Sequence, residues 1–363
     1  MKGNNEITEY GYNAIIFFVI RAVFIGMGYY LILKINNQDS YISAIVGSVI
    51  GILGIIILNK VKNNKENLNI LDLSKSKCGN ILGTILNIII SVTFGILSVF
   101  LLYNYRIFIS GYYIQETTDI YILFIIMLPV VYILKKDISV VTKVAQIVLL
   151  INATIFILSL LGMLKGINVY NIYPILEYSR KSIVDGALFF SIIIIAPILS
   201  LSIIPKSKVK NKKISFKKTL ITYIVTCISV VIMLAFIILV LGKNTAGICK
   251  NPEYVMLKKI SYFGIVEKIE NSIALMYLFD FFIAISFLLQ FVKEGFNSFV
   301  KSVKVKKYTA EIISIVVAIA SIYIFRNSIF ALNVYTKYLT YILGFGIILP
   351  VTTIAICSNS KKN

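Results

Sequence analysis

Tyr12-Asn-Ala-Ile-Ile-Phe-Phe-Val-Ile-Arg-Ala-Val-Phe-Ile-Gly-Met-Gly-Tyr-Tyr-Leu-Ile-Leu33 is an apolar run of about twenty residues that carries a single charge, Arg21. A bilayer core of about 30 Å takes about 20 helical residues to cross. Within it only helices and closed barrels satisfy their own backbone. A barrel would alternate polar and apolar residues in segments of about ten. This run does not alternate, so it reads as a membrane helix.

Working outward, the same pattern recurs along the chain. Spans are expected near 12–33, 41–59, 81–103, 119–134, 143–164, 185–204, 218–241, 271–291, 309–325 and 335–357. Of the 363 residues, 58% are hydrophobic and 14% charged, where soluble domains carry about 25% charged residues. The chain is expected to be an all-α polytopic membrane protein with about ten transmembrane helices, forming a single transmembrane domain over residues 1–363. The first run is too long for a cleaved signal peptide and lacks a small-residue cleavage site. It is expected to serve as its own insertion signal.

The net charge is +20. In a soluble protein that excess suggests nucleic acid. Here the basic residues cluster in loops between spans, so no nucleic-acid partner is expected. With the N-terminus placed inside, the cytoplasmic loops hold Lys60, Lys62, Lys65, Lys75 and Lys77, then Lys135, Lys136 and Lys143. They also hold the lysine run from Lys206 to Lys218 and the cluster Lys293, Lys301, Lys304, Lys306 and Lys307. The positive-inside rule then predicts both termini in the cytoplasm.

The chain has no histidine and four cysteines, at spacings that suit neither a metal site nor a disulfide framework. It has no Ser/His/Asp set, nucleotide-binding loop or dinucleotide fingerprint. No enzyme activity, metal or cofactor is expected. Any transport would be passive or driven by an ion gradient.

Two spans contain helix breakers in corresponding places. The first holds Gly26 and Gly28 at mid-span, and glycine weakens a helix interior. The sixth holds Ile195-Ala196-Pro197, where proline removes a backbone hydrogen bond. Each of these spans opens a block of five, about 12–164 and about 185–357. Five is odd, so the second block is inverted relative to the first. In inverted-repeat transporters the broken helices meet at the bilayer midplane and form the binding site. Glycine and proline also serve close packing and simple kinks, and that reading stays open.

Two ionisable residues lie deep in spans. Arg21 and Asp280 each sit about nine residues into their own span, and the two spans run in opposite directions. They are expected to pair, or to share a water-filled cavity, because an unpaired charge at the midplane is costly. Ser286 and Gln290 are four apart and share a helix face. The segment 251–268, with Val255, Met256, Ile260 and Ile265, reads as an amphipathic helix on the outer face. It would be either a cap on the bundle or a lid and partner-binding surface.

Four stretches carry a family resemblance. These are Asn37-Gln-Asp-Ser-Tyr-Ile-Ser-Ala-Ile-Val-Gly-Ser-Val-Ile-Gly51; Asn171-Ile-Tyr-Pro-Ile-Leu176 with Gly186-Ala-Leu; Pro252 to Glu270, through Lys259-Ile-Ser261 and Ile265-Val-Glu-Lys-Ile-Glu270; and Phe282-Ile-Ala-Ile-Ser-Phe-Leu-Leu-Gln290. In order and spacing they resemble the spore germination permease family, the B subunits of Ger-type germinant receptors, within the amino acid–polyamine–organocation superfamily. The resemblance implies a LeuT-like 5+5 inverted repeat with helices 1 and 6 broken. It implies a nutrient-sensing membrane subunit of the spore inner membrane or bacterial cell membrane. The implied partners are the receptor's A and C subunits, membrane lipid and a small-molecule nutrient, often an amino acid.

Carried onto this chain, the resemblance points to Gly26, Met27, Gly28, Ala196, Pro197, Ser286 and Gln290 as ligand-binding. Phe24, Ile25 and Ile195 add an apolar lining that suits a small aliphatic amino acid. The alternative is an ion-coupled secondary transporter for amino acids or organic cations.

Overall fold

The computed structural model describes residues 6–64, 67–212, 214–261, 270–300 and 302–360. Lys65, Lys213, Lys301, Ile265 and the stretch 265–269, all used above, lie outside the described residues, as do both chain ends. Among the described residues the fold is helical throughout, apart from a single parallel backbone bridge between Ile7 and Val209.

The helices are α1 (Glu9–Val23), α2 (Tyr29–Asn36), α3 (Ser40–Lys62), α4 (Ile70–Cys78), α5 (Asn80–Tyr112), α6 (Asp119–Leu134), α7 (Ile138–Met163) and α8 (Arg180–Leu199). There follow α9 (Phe216–Leu241), α10 (Lys243–Ala246), α11 (Pro252–Ser261), α12 (Glu270–Phe299), α13 (Val303–Tyr323), α14 (Ser328–Lys337), α15 (Leu339–Leu343) and α16 (Leu349–Ser360). Side-chain caps mark several starts. Thr8, Asn69, Asp137, Ser179 and Asn327 each accept a hydrogen bond from a backbone N–H in the first turn of the helix they open, which satisfies donors that a helix leaves free at its start.

Among the described residues, seven helical stretches are long and apolar enough to cross a membrane, or eight when α13 and α14, bent by 106° against each other, count as one. The stretch Glu9–Lys62 is 54 residues long and contains the expected spans 12–33 and 41–59. The expected span at 119–134 coincides with α6, which has only 16 residues. The chain is therefore an all-helical polytopic membrane protein.

α1 sits at the centre, with every residue from Gly11 to Val23 buried. A helix that is apolar all round belongs inside a bundle. By contrast α6, α7 and α13 each expose an apolar face, with Phe124, Leu150 and Ile315 more than half exposed, as a lipid-facing surface requires. α3 and α8 pack closely through small residues. A Cβ at Gly47 would come within 2.7 Å of the Ala187 carbonyl, and one at Gly54 within 3.0 Å of Ile195 Cγ1. This is the close approach that small residues permit between membrane helices.

Polar contacts gather at the two ends of the bundle. At the end that holds the N-terminal segment, Lys218 pairs with Glu9 at 2.6 Å and Lys208 with Asp137 at 2.6 Å. Lys62 there donates to the Ile204 carbonyl. At the opposite end, Asp39 accepts the Leu176 and Tyr178 N–H groups at 2.8 and 3.0 Å.

The two expected breaks turn out differently. Between α1 and α2 the backbone is unwound, with Ile25 at φ −59°, ψ 123° and Gly26 at φ 71°, ψ −93°. α8, however, stays helical through Ile195, Ala196 and Pro197, and ends at Leu199 in a tighter turn over Ser200–Ile203. The expected break at 195–197 is thus corrected to a tightened turn three residues later. Proline's φ suits a helix; what it gives up is the hydrogen bond to Ile193 O, and its ring crowds that carbonyl, yet α8 holds its helical path. In the tightened turn that follows, the Ser200 hydroxyl donates to Pro197 O at 2.5 Å, and the Ser202 hydroxyl to Leu199 O at 2.6 Å.

Candidate functional site

Gly26 carries the break. Its positive φ is a conformation that costs an L side chain about 1–2 kcal/mol. Unwinding also frees the Gly26 N–H from the helix ladder. A buried N–H without a partner is expensive, and this one donates to Glu253 Oε1 at 2.7 Å. Glu253 sits on the first turn of α11 and is fully buried. Asn251, just before that helix, closes over the same point: a Cβ on Gly26 would lie 2.6 Å from Asn251 Oδ1.

One turn before the break, Arg21 Nη2 lies 3.1 Å from Asp280 Oδ2 of α12, with both side chains buried. Asn152 of α7 donates to Asp280 Oδ1 at 2.7 Å. The Arg21 guanidinium also sits over the Phe17 and Phe156 rings, 4.8 and 5.3 Å from their centroids, an arrangement that favours a cation in an apolar setting. A buried ion pair needs such extra contacts to offset desolvation.

Tyr277, one turn before Asp280 on α12, brings its hydroxyl beside the Glu253 carboxyl. Beyond that contact, Glu253 Oε2 and Tyr277 Oη are buried and unsatisfied, as are Asn152 Oδ1 and Arg21 Nη1. Unsatisfied buried polar atoms are rare in folded proteins. Burial pushes the Glu253 carboxyl up to about 8, against the opposing help of its backbone hydrogen bonds and of Tyr277. The α1 break, α11, α12 and α7 thus converge on one polar cluster.

The residues singled out from the sequence divide between this cluster and two other places. Arg21, Asp280 and the break Phe24–Gly28 belong to it. The Phe24 ring packs on Phe190 of α8 at 4.7 Å, and Ile25 is buried. Met27 and Gly28 line a small cavity of ≈ 10 Å³ with Ile193, Asn104 and Tyr335, room for about one water.

Ile195 faces Gly54 of α3. Ala196 and Pro197 are buried in the helical part of α8. Gln290 donates to the Lys136 carbonyl at 3.5 Å, at the turn between α6 and α7. Ten residues of helix, about 15 Å, separate it from Asp280. Ser286 lies between them, buried, with its hydroxyl unsatisfied.

Asn152, Glu253, Asn251 and Tyr277 were missed. Asn152 had a signal, since it is a strongly polar residue in the middle of an apolar span, where such groups act as polar glue between helices. Glu253 had none in its local pattern. It stands in a mixed-charge connecting segment, and only the fold brings it 227 positions back to Gly26.

In fold the chain is similar to a Na+-coupled sialic acid symporter solved in a substrate-bound, outward-open state. The TM-score is 0.62 at 15% identity, over 96% of this chain and 80% of that one. At that identity the likeness is one of fold, the LeuT-like fold. No curated protein sequence matches the chain. Residues 13–329 match the family described as spore germination protein, a permease-like rather than an enzyme family. With most of its length covered by that match, the chain belongs to the spore germination protein family.

Proposed function

We propose that this chain is the nutrient-sensing membrane subunit of a spore germinant receptor, and that it binds a small nitrogen-bearing nutrient, an amino acid or related amine, at the α1 break. Family membership over residues 13–329 supports the receptor role. The polar cluster at an unwound helix in a transporter-like fold is the observation that supports the site. On this reading ten helices form two inverted blocks of five, 12–164 and 185–357, in a single transmembrane domain. Both termini face the cytoplasm, in keeping with the lysines gathered at the N-terminal end of the bundle.

In the closed arrangement α11 covers the break, and the neighbouring cavity holds about one water. A ligand therefore enters only when α11 shifts. Binding then favours the shifted conformation, by as much as the ligand's affinities for the two states differ. That shift is the signal passed to the A and C subunits in the spore inner membrane. The fold shared with a Na+-coupled symporter favours a second reading, an ion-coupled permease for the same ligand.

A deletion strain separates the two readings. The receptor reading predicts spores that lose their response to one nutrient while vegetative uptake is unchanged. Spores that germinate normally on every nutrient tested, from cells that have lost uptake of one amino acid or amine, would contradict it.

A further inference from the structure

We propose that the site takes a small alkylammonium ion, an amine without a carboxylate, and that Glu253 is its counter-ion. This rests on the reading above that a small ligand binds at the α1 break.

The first argument is competition for one donor. A freed N–H at a helix break is a natural seat for a ligand's carboxylate. Here the protein's own carboxylate fills the Gly26 seat at 2.7 Å. Asn251 crowds the same point so closely that a Cβ at Gly26 would meet its Oδ1 at 2.6 Å. A second carboxylate would have to expel the first from a buried place.

The second argument is charge. Arg21 and Asp280 neutralise each other. Glu253 forms no ion pair with a described residue, and no cation figures among the influences on its carboxyl. When ionised, the cluster therefore carries one uncompensated negative charge. A buried charge of that kind calls for a cationic partner.

The third argument is the set of atoms left free. Once Glu253 is ionised, its Oε2 and Asn152 Oδ1 accept hydrogen bonds, and the Tyr277 hydroxyl beside Glu253 is able to. The one unpartnered donor nitrogen here, Arg21 Nη1, belongs to a guanidinium already held by Asp280 and the Phe17 and Phe156 rings. An ammonium brings up to three donors and no acceptor, which matches a surplus of acceptors. The aromatic rings of Tyr29, Tyr277 and Phe24 around the break suit a cation as well.

The high pKa of Glu253 fits this role. Its carboxyl is held largely neutral near pH 7 when the site is empty. A ligand arriving as the free amine takes up that proton. One arriving as the ammonium lowers the carboxyl's pKa, so that the proton leaves to solvent. The result in both cases is an ammonium beside a carboxylate. The titratable or charged groups acting on it or placed around it are Tyr277, Tyr29, Arg21, Asp280, Tyr112 and Cys249.

The test compares matched pairs on the purified full chain by titration calorimetry: ethylamine against alanine, and isobutylamine against valine. Each amine is expected to bind at least tenfold more tightly than its amino acid. In Glu253→Gln, amine affinity is expected to fall at least tenfold while the thermal midpoint of the ligand-free protein does not fall. The wild-type comparison stands even where the variant fails to fold. Tighter binding of alanine or valine would overturn the cation proposal and leave the pocket in place. Saturation by sodium chloride alone, with no further heat from amine, would overturn it in favour of an inorganic cation. No heat from any amine or amino acid would overturn both this proposal and the ligand site at the α1 break.

Discussion

The α1 break and the Pro197 region of α8 look equivalent in sequence and are unlike in structure. Gly26 lies at positive φ inside an unwound segment, with a carboxylate on its N–H and an ion pair one turn away. Pro197 lies in continuous helix, surrounded by apolar residues. A helix breaker is therefore not enough to make a site. Proline loses one hydrogen bond, the one to Ile193 O, and the helix continues through it before tightening into a turn at Ser200–Ile203. Glycine at φ 71° leaves the ladder altogether, and its freed N–H needs a partner from elsewhere in the chain. In α1 that partner is Glu253.

Substitutions in the two regions put that contrast under strain. The largest effect is expected beside the α1 break. Arg21→Ala or Asp280→Ala strands a buried charge and should cost about 3–5 kcal/mol, read as loss of folded protein in a thermal unfolding assay. The double variant should be no worse than either single one, whereas additive losses would show that the two side chains act independently.

Next comes Gly26→Ala, which combines an unfavourable φ of about 1–2 kcal/mol with the clash against Asn251. It should abolish ligand binding as well as lower stability. If it binds normally, the break is not the site.

Glu253 gives a pH signature of intermediate size. Its carboxyl is raised by burial from the usual 4.5 to about 8, so the folded state holds the proton more tightly than the unfolded chain does. The stability linked to this group is full below about pH 4.5 and is lost progressively as pH rises to about 8. Thermal midpoints of the ligand-free protein should fall across that window, and Glu253→Gln should flatten the fall. An unchanged slope in the variant would remove Glu253 from the account.

The smallest effect is expected at α8. Pro197→Ala restores an N–H to a segment that is already helical. Stability should change by no more than about 1 kcal/mol, with ligand affinity unchanged. A loss of binding there would restore α8 to the site and remove the contrast.

Much of this fold was legible because membrane helices announce themselves by length and apolarity, as the run from Tyr12 to Leu33 does. Arg21 and Asp280 were legible for the converse reason, since charge is conspicuous where it is costly. The span count was harder to read. α6 has only 16 residues, and α13 meets α14 at 106°, so hydropathy alone blurs both. Gln290 and the Ile195–Pro197 segment were placed by spacing, which fixes a helix face but not the depth or the neighbour it meets. Glu253 was illegible because its role comes from a contact across 227 positions, and nothing in Asn251-Pro-Glu announces what lies opposite.

The most direct test is a cryo-electron microscopy map of the full chain saturated with isobutylamine. The account predicts ligand density bounded by Gly26, Glu253 and Tyr277, with α11 shifted from its closed position. Density between Ile195–Pro197 and Gln290, with the Gly26–Glu253 hydrogen bond intact, would contradict it.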